Sequence, residues 1–174
     1  MIRASEIHTP RLLLIGADEA LLRAELAGRE AFGQAAAAVV PPNWPPEHHD
    51  RGVIEWVLAG LGSLKDGDPW RFHYLLLKEP RTLVGTCGIK QPPDAEGCVE
   101  VGYSVLEQFR RQGLATEAVR ALMDAAFAAG ASAVAAQTYP SLLPSVRVME
   151  KCGMTLTGPG EEPGTVRYAR QRAP

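Results

Sequence analysis

Cysteine is scarce in this sequence, with three copies, Cys87, Cys98 and Cys152, among 174 residues. The odd number, the wide spacing and the lack of a Cys-x-x-Cys pair exclude a disulfide framework and the usual cysteine zinc sites. His48 and His49 are adjacent in a proline-rich stretch with no cysteine pair beside them, so we expect no metal. We expect reduced, buried thiols in a cytoplasmic protein.

Long apolar runs and an excess of charge of one sign are also missing. No stretch approaches the ~20 uncharged apolar residues of a membrane span, and the N-terminal MIRASEIHTPRLLLIG carries charges that a signal peptide would not, at Arg3, Glu6 and Arg11. The net charge is −2, with 18 basic and 20 acidic residues, so the sequence lacks the basic excess of a non-specific nucleic-acid binder. We therefore expect neither nucleic acid nor a membrane among the partners.

The composition that remains is that of an ordinary globular protein. Hydrophobic residues make up 46% of the chain and charged residues 22%, which is unlike a disordered or low-complexity sequence. With 174 residues the chain can bury its own core without disulfides or metals. The sequence predicts one domain over residues 1–174.

The spacing of apolar residues predicts a mixed α/β domain of about seven strands and about four helices, and not a doubly wound parallel sheet. The proline-rich Val40–Pro46 can be neither helix nor central strand, so we expect a rigid surface loop that carries Trp44. The predicted helices are Glu19–Arg29 (capped by Asp18), Asp50–Leu61, Gly113–Ala129 and Pro144–Cys152. The predicted strands are Arg11–Ile15, Arg71–Leu77, Thr82–Ile89, Cys98–Val105, Ala133–Tyr139, Met154–Thr157 and Thr165–Arg170.

The most informative segment is Val105–Thr116, VLEQFRRQGLAT, in which a strand ends, a basic loop follows and a helix begins at a glycine. A helix N-terminus offers unpaired N–H groups and partial positive charge, so it favours an anion. Gly113 has no side chain to block a phosphate, and Arg110 and Arg111 add charge. A glycine and two arginines at a helix start are also common without any such role. The segment matches neither GxGxxG nor a P-loop, so ATP or dinucleotide binding is not supported.

Five short segments resemble the GNAT acyltransferase superfamily and its branches. Arg110–Thr116, RRQGLAT, is similar to its Q/R-x-x-G-x-G/A signature, and Gly102–Arg110 resembles the strand and loop before it. Pro144–Gly153 resembles its short last helix. The Thr9–Leu14 and Asn43–Pro46 segments are similar to the branch that includes the ribosomal-protein alanine N-acetyltransferases. The resemblance implies a single mixed, mostly antiparallel sheet.

Two positions depart from the pattern of that family. Leu142 and Leu143 lie just before the last helix, where members often carry an Asn that contacts the pantetheine arm. Met149 occupies the position that often holds a catalytic tyrosine. A tyrosine general acid therefore cannot be carried over to this helix.

The resemblance implies that acetyl-CoA binds as co-substrate, with its pyrophosphate on the helix N-terminus and its pantetheine arm along the Tyr103–Val105 strand. A bulge near Gly102 would free an N–H for the thioester oxygen. The cofactor-binding residues expected on this basis are Tyr103, Ser104, Val105, Arg110, Arg111, Gln112, Gly113, Leu114, Ala115 and Thr116.

The reaction class that follows is direct attack of an amine on the thioester. The amine must be neutral, so a base helps, and Glu100 is our candidate because it lies on a strand expected to be central. Alternatively, Glu100 pairs with an arginine or reaches the exposed face of the sheet. Ser145, in the first turn of the last helix, is our candidate proton donor to the leaving thiolate; alternatively it caps that helix.

Two function classes stay open at the level of sequence. The first is an N-acetyltransferase that acts on a protein N-terminus or a small-molecule amine, for which we consider a homodimer. The second is a non-catalytic acyl-CoA-binding or interaction module with the same fold. Trp44 and Tyr103 could line an acceptor pocket, but we favour core packing for Trp44. His48 and His49 could touch the substrate, but we favour a solvated loop.

Overall fold

Eight strands form one sheet in the computed structural model, which describes residues 6–65 and 67–173. The order across the sheet is β1-β2-β3-β4-β5-β6-β8-β7, and every neighbouring pair is antiparallel except β5 and β6. The predicted mixed, mostly antiparallel sheet is thus confirmed. The strands are β1 Glu6–His8, β2 Leu12–Gly16, β3 Phe72–Leu77, β4 Thr82–Ile89, β5 Cys98–Val105, β6 Ala133–Thr138, β7 Thr155–Pro159 and β8 Val166–Gln171.

The described residues contain one strand more than the about seven predicted, because β1 is too short and too polar to show a period-two pattern. They also contain five α-helices where about four were predicted. The helices are α1 Glu19–Ala27, α2 Arg29–Ala36, α3 Arg51–Gly60, α4 Leu114–Ala128 and α5 Leu143–Lys151. Short 3₁₀ turns cover Leu61–Ser63 and Glu107–Phe109.

The additional helix is α2, and it corrects the predicted end of the first helix at Arg29. The chain leaves helical geometry at Gly28, whose φ is 130°, and a second helix begins at once. Phe32 and Ala36 give α2 its buried face. The predicted cap at Asp18 is confirmed, since its carboxylate accepts a hydrogen bond from the Leu21 N–H at 2.8 Å.

The sheet separates two hydrophobic cores. Leu12 and Leu14 of β2 pack on the face covered by α4 and α5, whereas Leu13 and Ile15 pack on the face covered by α1, α2 and α3. This alternation is what a strand buried on both faces requires. Strand alternation fixes the faces of β5: Tyr103 packs with the α4–α5 core, so Glu100, three positions away, lies on the opposite face of the sheet.

The sheet opens in its middle, between β5 and β6. These strands pair from Cys98 with Ala133 to Glu100 with Ala135 and then part. We call this divergence the fork. Beyond it, Val101–Val105 pairs with β4, and residues 136–138 pair with β8.

The expected bulge near Gly102 is wrong for the β4–β5 ladder. Its register runs unshifted from Ile89 paired with Val101 to Gly85 paired with Val105. The second edge of β5 becomes available because its other neighbour turns away, so an extra residue is not needed. None of the helices within residues 6–65 and 67–173 is long and apolar enough to cross a membrane.

Candidate active site at the fork and the start of α4

The loop after β5 turns into α4 through two residues with positive φ. Arg111 has a φ of 60°, and Gly113, the residue before the helix, has a φ of 79° in the left-handed region that favours glycine. A Cβ on Gly113 would lie 3.4 Å from Nη2 of Arg11. The first N–H groups of α4, at Leu114, Ala115 and Thr116, have no intrahelical acceptor in such a geometry. The segment can therefore hold an anion, as the sequence predicts.

The start of α4 is fixed in place by two residues that the sequence motif does not include. Arg11 donates to the Gln112 carbonyl at 2.7 Å and, through Nε, to the Glu117 carboxylate at 2.7 Å. Thr9 Oγ1 donates to the same carboxylate at 2.6 Å. Burial alone would raise the pKa of Glu117, but the hydrogen bonds from Thr9 and Arg11 and the Arg11 charge outweigh it and lower the pKa.

Arg110 does not point freely toward the helix start. Its Nε donates to the carbonyl of Val105 at 2.9 Å, and its Nη2 lies 3.0 Å from the Glu47 carboxylate. Asn43 and Gln108 exchange two side-chain hydrogen bonds of 2.7 and 2.8 Å beside it. The proline-rich loop therefore braces the turn before α4.

The other predicted binding residues near the start of α4 differ in exposure. Arg111 and Gln112 are exposed, whereas the side chains of Leu114 and Thr116 are buried, so Leu114 and Thr116 can offer only backbone N–H groups.

Tyr103 and Ser145 are brought together across the fork by β5 and the first turn of α5. The Tyr103 hydroxyl donates to the Ser145 carbonyl at 3.0 Å and lies 3.1 Å from Ser145 Oγ. Burial raises the pKa of Tyr103 to about 12, and the hydrogen bond with Ser145 opposes this rise. The phenol is thus a stable donor at neutral pH. Val105 is buried at the end of the same strand, and Ser104 faces the opposite side from Tyr103.

Glu100 is the last residue of β5 that pairs with β6, so it lies at the base of the fork. Its carboxylate forms an ion pair with Lys90 and accepts hydrogen bonds from Gln137 Nε2 at 3.0 and 2.9 Å. The alternative that Glu100 pairs with a cation is thus seen, with a lysine in place of the arginine. A catalytic role for Glu100 stays a prediction, and both of its oxygens already have partners.

Lys90 and Gln137 are site residues that sequence reasoning missed. Lys90 follows β4, and its backbone N–H donates to the Glu100 carbonyl at 3.0 Å. Gln137 stands out only as a polar residue in the apolar strand AVAAQT. That signal could have found it, but its partner on another strand could not be read from the sequence.

The two departures from the family pattern lie in different environments. Leu142 and Leu143 are 48% and 56% exposed at the start of α5, so they present an apolar surface where an Asn was expected. Met149 is buried in the core, 1% exposed. The position that often holds a catalytic tyrosine in the family therefore faces the protein interior in this chain.

The prediction of a solvated loop holds for His48, which is exposed, but is wrong for His49, which is buried. His49 Nε2 lies 2.9 Å from Oε1 of Glu25, which also accepts a 2.6 Å hydrogen bond from Trp44 Nε1. Tyr74 donates to the other oxygen of Glu25 at 2.5 Å. Trp44 packs on the core, as favoured, because this buried carboxylate supplies a partner for its indole N–H.

All three cysteines are free thiols. Burial raises the pKa of Cys152 to about 11 and raises the pKa of Cys87 further, and it raises the pKa of Cys98 against the opposing charge of Arg167. Such thiols stay protonated at neutral pH and are poor nucleophiles. Within the described ranges 6–65 and 67–173, His, Cys, Asp and Glu side chains do not gather in groups of three or more that could hold a metal ion.

The family comparison matches residues 11–155 to the acetyltransferase (GNAT) domain. The chain belongs to this family. The match covers most of the chain, including the fork and the start of α4, so the resemblance of the short motifs is confirmed. A curated relative, the uncharacterized N-acetyltransferase p20 of Bacillus licheniformis, is 28% identical over 94 residues, which span 53% of this chain and 52% of that protein. The chain thus matches about half the length of this relative.

Solved structures share the GNAT fold over nearly the whole chain. The ribosomal-protein-S5-alanine acetyltransferase of Vibrio fischeri is 16% identical, with 96% of each chain covered and a TM-score of 0.69. RimL, a ribosomal α-N-protein acetyltransferase in complex with coenzyme A, is 19% identical, with 96% of this chain and 98% of that chain covered and a TM-score of 0.67. At these identities the similarity shows the fold alone.

Proposed function

We propose that this protein is an acetyl-CoA-dependent N-acetyltransferase that moves an acetyl group to a primary amine. The observation that carries the proposal is the fork: the edge of β5 that β6 leaves leads, through the loop of residues 106–113, to the start of α4 with its unpaired N–H groups. An elongated thioester with a pyrophosphate at one end fits this combination. Membership of the GNAT family and the coenzyme A bound by the structural neighbour RimL support it.

The binding residues act in two groups. The N–H groups of Gly113–Thr116 and the exposed Arg111 would hold the pyrophosphate, because a helix start favours negative charge. The backbone of Tyr103–Val105 pairs with β4 on one edge and no longer with β6 on the other, so this second edge would pair with the amides of the pantetheine arm as an added strand does. This order would put the thioester between Glu100 and Ser145.

The chemistry needs a proton removed at one side and supplied at the other. The amine nitrogen attacks the thioester carbonyl carbon, the carbon–sulfur bond breaks, and the amine loses a proton. Glu100 would take that proton, either directly or through a water, since its oxygens are shared with Lys90 and Gln137. Ser145, held by Tyr103, would donate a proton to the leaving sulfur.

The acceptor amine is either a protein N-terminus or a small molecule. The exposed Leu142 and Leu143 border the fork at the start of α5 and offer an apolar surface to either class. The proposal also includes a cytoplasmic location and a single domain over residues 1–174. A homodimer stays a prediction.

A non-catalytic acyl-CoA-binding module is the second candidate. It is favoured by the full set of partners on Glu100 and by the burial of Met149. The test is incubation with acetyl-CoA and a panel of amines and N-terminal peptides while free thiol is followed. Release of thiol that depends on the amine supports the enzyme. Stabilisation by coenzyme A without amine-dependent thiol release supports the module.

A further inference from the structure

The loop between β7 and β8, residues 160–165, rests on the side chain of Gln137. The backbone N–H of Glu161 donates to Gln137 Oε1 at 2.8 Å, and Thr165 Oγ1 lies 3.3 Å from the same oxygen. The loop closes on itself through the Gly160 N–H, which donates to the Thr165 carbonyl at 2.9 Å. One amide oxygen of β6 is therefore the point at which this loop meets the fork.

Gly160 shows how closely the loop approaches. A Cβ at this position would lie 2.6 Å from Gln137 Oε1 and 2.0 Å from Thr165 Oγ1. Real Cβ atoms do not come so close, so a side chain at residue 160 would force Thr165 or Gln137 to move. Both atoms also take part in the hydrogen bonds described above, so the loop and Gln137 are packed tightly at this one junction.

The loop fixes the orientation of the Gln137 amide. The Glu161 N–H can only donate, so the group facing it must be the carbonyl oxygen of Gln137. The amide nitrogen then faces the opposite way, where it donates to both oxygens of Glu100 at 3.0 and 2.9 Å. The amide nitrogen can only donate, so these two hydrogen bonds hold the carboxylate in one orientation. The side chain of Gln137 thus connects the position of the loop to the orientation of the Glu100 carboxylate.

Other charged groups around Glu100 come from the neighbouring strands. Lys90 supplies the ion pair at the end of β4. On β8, the guanidinium of Arg167 lies 3.2 Å from Cys98 Sγ, two residues before Glu100. The remaining acidic groups of this region are Asp94 before β5 and the exposed Glu161 and Glu162 of the loop. Among these groups, Gln137 is the one that hydrogen-bonds both to Glu100 and to the β7–β8 loop.

We propose that Gln137 is a positioning residue that couples the β7–β8 loop to Glu100, so that docking of the loop keeps the Glu100 carboxylate oriented at the fork. The catalytic meaning of this coupling rests on the proposed function, since Glu100 is the candidate base. The coupling itself rests on the contacts of Gln137, Gly160 and Glu161.

The direct test is the ¹³C chemical shift of the Glu100 carboxyl carbon at pH 7, measured by NMR, which does not depend on turnover. In Gln137→Met, a substitution of similar size without an amide, we expect this resonance to move, because both hydrogen bonds to the carboxylate are lost. Gly160→Ala keeps Gln137 but adds a methyl group at the contact between the loop and this side chain, so the resonance should move in the same direction by a smaller amount. Gln171→Met on the exposed end of β8 is the matched control and should leave the resonance unchanged.

A Glu100 carboxyl resonance in Gln137→Met equal to that of the wild type would overturn the coupling. A change in Gln137→Met with none in Gly160→Ala, in a protein whose amide spectrum shows that the loop has moved, would overturn the role of the loop. The value of kcat/KM should fall in the order in which the Glu100 resonance moves. If the wild type shows no turnover, the proposed function fails, and the NMR shifts still decide the coupling.

Discussion

The start of α4 and the fork form the two halves of the candidate site, and they are assembled differently. Around α4, the groups proposed to bind the pyrophosphate come from one continuous segment, Val105–Thr116, and most of them are backbone N–H groups. Around the fork, Glu100, Lys90 and Gln137 come from β5, the end of β4 and β6, and the proposed chemistry depends on their side chains. The start of α4 is a local motif that distant residues such as Arg11 hold in place. The cluster at the fork forms only when β4, β5 and β6 are in register.

The difference suggests where each half is vulnerable. Backbone N–H groups are lost only when the chain is reshaped or when a side chain fills their space. A side-chain constellation loses its function when one atom changes. The comparison can therefore be tested by single substitutions that address one half and leave the other intact.

The largest effect should come from Glu100→Gln, which keeps the shape of the side chain but cannot accept a proton. We expect kcat/KM at neutral pH to fall by about 10²–10⁴, the usual cost of losing a general base. The loss should shrink as the pH rises, because more amine is then neutral without help. A pH–rate profile at saturating acetyl-CoA measures both. Glu150→Gln, an exposed position on α5, is the control. An unaltered profile for Glu100→Gln would leave Glu100 with its ion-pair role alone.

Gly113→Glu should abolish binding of the pyrophosphate at the start of α4 and leave the residues of the fork unchanged. A side chain at a φ of 79° is strained, and its negative charge would occupy the place of the phosphate. In the wild type, coenzyme A at about 100-fold excess over Kd should stabilise the fold by roughly 2.7 kcal/mol. We expect this gain, measured by thermal shift, to vanish.

The exposed Gly62 offers a matched control for that change, because a Cβ there would meet no neighbour within 4 Å. Gly62→Glu adds the same charge and should keep the full ligand-induced shift. If coenzyme A still raised the melting temperature of Gly113→Glu, the pyrophosphate would bind elsewhere, and the start of α4 would lose its proposed role.

Glu117→Gln should weaken the braces of α4. Charge-assisted hydrogen bonds contribute about 1.5–3 kcal/mol when well formed, and the exposure of Arg11 reduces this, so we expect a loss of about 1–2 kcal/mol in the free energy of unfolding at pH 7. The folded pKa of Glu117 is lowered. Its contribution is therefore complete above the unfolded value of 4.5 and is lost as the pH falls through the folded pKa.

Urea unfolding of the wild type and Glu117→Gln at pH 7, 5 and 3 measures this difference. The two proteins should converge toward pH 3. Glu19→Gln removes an exposed ion pair with Arg23 and should cost less at every pH. A gap between the wild type and Glu117→Gln that stays constant with pH would exclude the carboxylate as its source.

The smallest effect should come from Ser145→Ala and Tyr103→Phe. A thiolate with a pKa near 8.5 can leave partly unaided, so loss of the Ser145 proton should lower kcat by about tenfold or less. Tyr103→Phe removes the hydrogen bonds that hold Ser145, and a neutral hydrogen bond contributes about 1 kcal/mol, so the fall should be similar or smaller. Single-turnover rates measure both, with Ser141→Ala in the exposed turn as control. A fall in Ser145→Ala as large as that in Glu100→Gln would show that protonation of sulfur limits the reaction.

The sequence by itself determined the elements whose patterns are local. The β4 and β5 strands begin and end where the alternation of apolar residues predicts, and α4 begins one residue after the predicted Gly113. The extra helix α2 and the short β1 escaped prediction because a glycine break and three polar-leaning residues carry little periodic signal. The helix start proposed to bind the pyrophosphate could be located from the sequence because its glycine, its arginines and its first helical residues are neighbours in the chain.

The tertiary structure decided what depends on residues far apart in sequence. Arg11 meets Glu117, Glu47 meets Arg110 and Gln137 meets Glu100 only after β2, the proline-rich loop and β6 have taken their places. It also decided that the free edge of β5 arises from the departure of β6, where a bulge had been expected. Hydrophobic periodicity specifies which face of a strand is buried, but it does not specify which strand lies beside it, and the side-chain partners follow from that second choice.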